Sequence, residues 1–92
     1  MLPPKEIMDK THNIIQSLDY YFNIFFTEQD TIQLQCELDD RSYLEIEVFK
    51  DYTKVFIIPK GIYSAAIIKV LSGINEIKDL KKIVKKFRKE EF

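Results

Sequence analysis

The sequence predicts a single α+β domain: an N-terminal amphipathic helix, a three-stranded antiparallel meander and a C-terminal helical region. Three observations carry that prediction. Apolar residues recur at helical spacing up to Phe26, they alternate at every second position between Thr31 and Val48, and they return to helical spacing beyond Gly73. With 92 residues, 46% of them hydrophobic, the chain is long enough for one core over positions 1–92. A domain of this size buries roughly 60–65% of its unfolded surface without covalent staples.

The first helix is expected over Pro4–Phe26. Prolines are tolerated in a first helical turn, and Glu6 and Asp9 favour the positive end of the helix dipole. Ile7, Thr11, Ile14, Leu18, Tyr21 and Phe25 recur at spacings of three and four, and Met8, Ile15 and Phe22 widen the stripe. The back of that helix would carry Asn13, Ser17, Tyr20 and Ile24, and the last two are apolar enough to suggest a partner.

Thr31–Leu38 alternates, with Ile32, Leu34, Cys36 and Leu38 on one side and Gln33, Gln35 and Glu37 on the other. Asp39–Ser42 has turn composition. Tyr43–Lys50 alternates again, with Leu44, Ile46 and Val48 inward and Tyr43, Glu45, Glu47 and Phe49 outward. After a turn at 51–53, Lys54–Ile58 makes a third strand that is apolar on both faces, and Pro59 ends it. Connections this short allow only antiparallel pairing. The third strand would then be an edge, to be covered by a helix or by the same strand of a second chain.

That covering helix is expected at Ile62–Leu71, where only Ser64 and Lys69 are polar and apolar side chains fall all round. A strand is the alternative, but alternation is missing, so helix is the reading adopted. Ser72-Gly73 marks a cap or kink. Ile74, Ile77, Leu80, Val84 and Phe87 then share one helical face, as one kinked helix or as the second of two. The order of elements resembles parts of ubiquitin-conjugating-like and secretion-chaperone modules, in order alone, with no residue motif behind it.

No motif for catalysis, nucleotides or metal stands out, and a non-enzymatic chain without cofactor or small-molecule substrate is expected. Cys36, the single cysteine, lies on an inward strand position and reads as a packed, inert thiol. It leaves no internal disulfide and fits a reducing, cytoplasmic setting. His12 has no second imidazole to form a metal site or relay. Glu37, Asp39, Asp40, Glu45 and Glu47 read as a solvated acidic face. No apolar run approaches a transmembrane length.

The net charge of −1 conceals a separation. From Lys78 onward seven basic residues face three acidic ones, a local +4, whereas the preceding residues hold seven basic and twelve acidic, a local −5. Such a division points to complementarity within the chain or to head-to-tail association. Two functional readings follow. The leading one is a protein-interaction module or accessory subunit whose partner is another chain, first of all itself as a homodimer, through Tyr43, Phe49, Phe56, Ile58, Tyr20 and Ile24. The alternative is a small nucleic-acid-binding protein touching phosphates through Lys78, Lys81, Lys82, Lys85, Lys86 and Lys89.

Overall fold

Leu34, Leu44, Ile46, Val55 and Ile57 are fully buried, because each leaves its strand on the face that both helices cover. The computed structural model describes residues 2–92. Its elements are helix α1 (Lys5–Leu18), strands β1 (Asn23–Phe26), β2 (Ile32–Glu37), β3 (Tyr43–Val48), β4 (Tyr52–Ile58) and β5 (Ile67–Ser72), and helix α2 (Glu76–Arg88). Two single-turn 3-10 segments, Pro59–Gly61 and Tyr63–Ala65, join β4 to β5. The five strands form one antiparallel sheet in sequential order, so every connection is a hairpin. Ile7, Ile14 and Leu18 of α1 and Leu80, Ile83, Val84 and Phe87 of α2 press onto one face. Among the described residues no layer covers the other face.

The expectation of three strands is wrong: there are five, and both extra ones come from stretches read as helix. α1 stops at Leu18, where Asp19 adopts the left-handed conformation (φ 48°) and its N–H closes back on the Ile15 carbonyl. The apolar spacing runs on past that point, but Tyr20–Phe26 holds five aromatic residues, the composition of a pleated surface rather than of a helix. Tyr20 and Ile24 therefore lie outside α1, Tyr20 in the connection and Ile24 in β1.

The second error is larger. The stretch Ile62–Leu71 is neither a helix nor buried; it is a 3-10 turn followed by β5, an edge strand open to solvent. Ile67, Ile68 and Val70 are β-branched and stiff in helices, and Pro59 with the left-handed Lys60 (φ 51°) keeps the preceding chain from winding. The third predicted strand, now β4, is accordingly internal and covered by β5. Gly73 turns the chain at φ 79°, and a single helix follows, not two.

A half-buried ion pair ties the layers together. The Lys10 ammonium on α1 donates to Glu76 Oε2 on α2 at 3.1 Å, and to the carbonyls of Phe49 (2.6 Å) and Tyr52 (3.1 Å) across the β3–β4 turn. Thr53 donates its hydroxyl to the same Glu76 oxygen. At the other end Arg88 of α2 sits over the Tyr20 ring, 4.5 Å from its centroid. Start meets start and end meets end, so α1 and α2 run in the same direction.

Candidate interaction surface

Two helices packed side by side cover roughly 20 Å, and five strands span about the same width between their outer axes. The margins overhang. On β5, Ile68 and Val70 are each 61% exposed; on β1, Ile24, Phe25 and Phe26 are 51%, 49% and 52% exposed. Ile62, Tyr63 and Ile74 extend the exposed apolar surface at the β5 end, and Tyr21 does so at the β1 end.

Hydrogen-bond phase decides which backbone groups are free at each margin. Phe49 N–H donates to Tyr52 carbonyl, which fixes 49/52, 47/54 and 45/56 as bonded pairs. Thr53, Val55 and Ile57 then bond to Leu71, Lys69 and Ile67, and Ile68 and Val70 turn their N–H and C=O outward. At the other margin Thr27 N–H donates to Thr31 carbonyl, so Asn23 and Phe25 bond to β2 while Ile24 and Phe26 turn outward. The residues with free backbone differ in side-chain direction. Ile24 and Phe26, in register with Leu34 and Ile32, point to the helix side; Ile68 and Val70, in register with Phe56 and Lys54, point to the open side.

The open face is zoned. Gln33, Gln35, Glu45 and Glu47 occupy its centre, where Thr31 donates to Glu47 (2.7 Å) and Tyr43 donates to Glu45 (2.8 Å). Burial, followed by that bond to Glu45, pushes the Tyr43 phenol well above its ordinary range. Beside this acidic centre Phe56 and Ile68, with Glu45, Glu47 and Lys54, line a hollow of about 210 Å³.

The predicted interface residues are thus scattered. Tyr43 and Phe56 share the open face as expected. Ile58 has the same orientation but is buried, lining a second hollow with Arg41, Tyr43, Gly61 and Tyr63 of the returning chain. Phe49 stacks on Tyr52 at 4.4 Å beyond the end of β3. Tyr20 packs against the core, edge-on to Phe22. Only Ile24 stands at a free edge, for a reason other than the helical one proposed for it. Phe25, Phe26, Ile68 and Val70 were missed, and the signal available was their β-branched and aromatic content.

Lys78, Lys81, Lys82, Lys85, Lys86 and Lys89 are all exposed on the solvent side of α2. Among the described residues none of them forms an ion pair with a carboxylate, and neither do Glu45 and Glu47. Sheet and core separate the two charge zones, so complementarity within the chain is not realised. Burial pushes the Cys36 thiol up to about 11, which keeps it protonated and poorly nucleophilic. No group of three or more potential metal ligands occurs among the described residues, and no helix there is long and apolar enough to cross a membrane. Comparison with protein-family models, with curated proteins and with solved structures finds no match to this chain.

Proposed function

We propose that this chain is a non-enzymatic protein-interaction module, working in the cytosol, whose partners dock by adding strands at its open sheet margins and whose first partner is a second copy of itself. The observation that carries the reading is the pair of apolar margins, each with backbone donors and acceptors free at apolar residues that are more than half exposed. An edge of that kind is a template for another strand, and soluble proteins ordinarily blunt it. Sedimentation over a range of concentrations tests the reading. The weight-average mass should rise reversibly with concentration; a monomer throughout would remove it.

A second reading keeps the lysine face of α2 as a phosphate-contacting surface. Its support is the unpaired stripe itself and the shallow depression lined by Lys85, Arg88 and Lys89. It requires binding to a short duplex that weakens steeply with salt. Binding unchanged after Lys81, Lys82, Lys85 and Lys86 are replaced by Glu would eliminate it.

A further inference from the structure

The two margins are not equivalent. We infer that the chain self-associates through β1, whose strand pairs antiparallel with β1 of a second copy about a two-fold axis at Phe25. The inference rests on the self-association reading above and adds which surface and which register serve it.

Hydrogen-bond phase restricts the choices. Directly opposed residues in an antiparallel ladder must both turn their backbone groups toward each other or both away. Ile24 and Phe26 carry the free groups of β1, and of the registers that this phase allows, the one in which both residues bond within the strand sets Ile24 against Phe26 of the second copy and Phe25 against Phe25. The same rule sets both copies' helices on one side of a continuous ten-stranded sheet, with Ile24 and Phe26 of each chain forming an apolar seam on that side. Phe25 pairs with its equivalent on the open side, the aromatic cross-strand contact that stabilises such ladders.

Charge separates β1 from β5. Positions 20–27 read Tyr-Tyr-Phe-Asn-Ile-Phe-Phe-Thr, with no charge. The helix over strands β2 and β3, next to this margin, is α1, with two basic side chains (Lys5, Lys10) and two acidic (Glu6, Asp9), a net zero. β5 instead carries Lys69 in its middle, in register with Val55 and therefore directed to the helix side. An inward-pointing lysine is a recognised guard against edge pairing. The helix packed on β5 is α2, with six basic side chains against two acidic, a net +4. Self-pairing of β5 would bring two such helices together, and in the centred register would oppose Lys69 to Lys69. Like charges opposed across a ladder are destabilising. Joining β5 of one copy to β1 of the next avoids that conflict but leaves free margins at both ends and grows without limit, whereas a two-fold pair closes.

A four-residue strand makes a small interface, below the standard ~800 Å² per partner, so association in the range of roughly ten micromolar or weaker is expected. Opposed residues that are not hydrogen-bonded to each other have Cα atoms ~4.5 Å apart, within disulfide reach. The test is therefore a set of single-cysteine variants in a Cys36→Ala background, oxidised with oxidised glutathione: Phe25→Cys, Val70→Cys and Lys69→Cys, alone and mixed. Phe25→Cys alone should give a covalent dimer at protein concentrations where Val70→Cys and Lys69→Cys give none. Phe25→Lys, at a half-exposed position, should leave the circular dichroism unchanged and weaken self-association by about tenfold or more. A disulfide from Val70→Cys or Lys69→Cys alone would assign the pairing to β5, and one formed only when Phe25→Cys is mixed with Lys69→Cys would assign it head to tail. Either outcome overturns the β1 inference while leaving self-association standing. A reversible dimer in sedimentation with no disulfide from any variant would also overturn it. A monomer in sedimentation instead removes the underlying reading.

Discussion

β1 and β5 are the two open margins of one sheet, both apolar, yet they are built differently. β5 is the more exposed but carries Lys69 on its helix side and lies under a helix of net charge +4. β1 is short, uncharged and flanked by a neutral helix. Exposed apolar area alone would rank β5 first as a pairing edge. Charge reverses that order, because opposed strands place neighbouring charges a few ångströms apart, where repulsion is felt even under partial screening. Apolar exposure tells where a surface is unsatisfied; the charge around it tells what is allowed to cover it.

The largest expected effect breaks the comparison directly. Ile24→Lys with Phe26→Lys should reduce self-association about a hundredfold or more, since two charges would enter the seam from each copy. Ile68→Lys with Val70→Lys should leave it within about twofold. Equal losses from both pairs, read by sedimentation, would mean that the margins act together. Next in size is a control at the centre of the fold. Lys10→Ala removes the partner of the half-buried Glu76 and three carbonyl contacts across the β3–β4 turn. It should lower unfolding free energy by about 2 kcal/mol in urea titrations while leaving the association of the folded protein unchanged.

Removing the guard sharpens the comparison from the other side. Lys69→Val should make β5 competent, so that light scattering reports larger, open assemblies at concentrations where the parent chain should stop at a dimer. The smallest effect is a pH dependence from Cys36 on β2. Cys36 ionises near 11 in the folded chain, above the ordinary value of 9.0. The unfolded chain therefore loses its proton first, and stability should fall as pH rises from about 9 to 11. The thiol is only partly buried, so the loss is about 1 kcal/mol, read as the difference between the parent chain and Cys36→Ala.

How legible this was in the sequence divides by element. The central strands announced themselves, since Ile32–Val48 is half buried, and one covered face with one open face writes alternation into the residues. β1 and β5 did not. Both edge strands carry apolar residues on both faces, so Ile24-Phe25-Phe26 and Ile67-Ile68 lose the period that marks a strand. Tyr20–Phe26 also continued the spacing of α1 by coincidence. Ile62–Leu71 reads as buried because it is apolar, but its β-branched residues favour an exposed strand over a helix. The charge separation was visible from the start, but only the layers showed that the sheet holds its halves apart. Of the predicted interface, the Tyr43 position follows from alternation, Phe56 takes its side only from its register with Glu45, and Ile58 is covered by a return of the chain that no local pattern encodes.

Hydrogen exchange at single amides, followed as protein concentration is raised, tests the central claim most directly. The N–H groups of Ile24, Phe26, Ile68 and Val70 all face outward in the single chain and should exchange quickly when dilute. Pairing through β1 predicts that Ile24 and Phe26 become protected with the same concentration dependence as the rise in mass, while Ile68 and Val70 stay fast. Protection that appears at Ile68 and Val70 instead, with Ile24 and Phe26 unchanged, would contradict it.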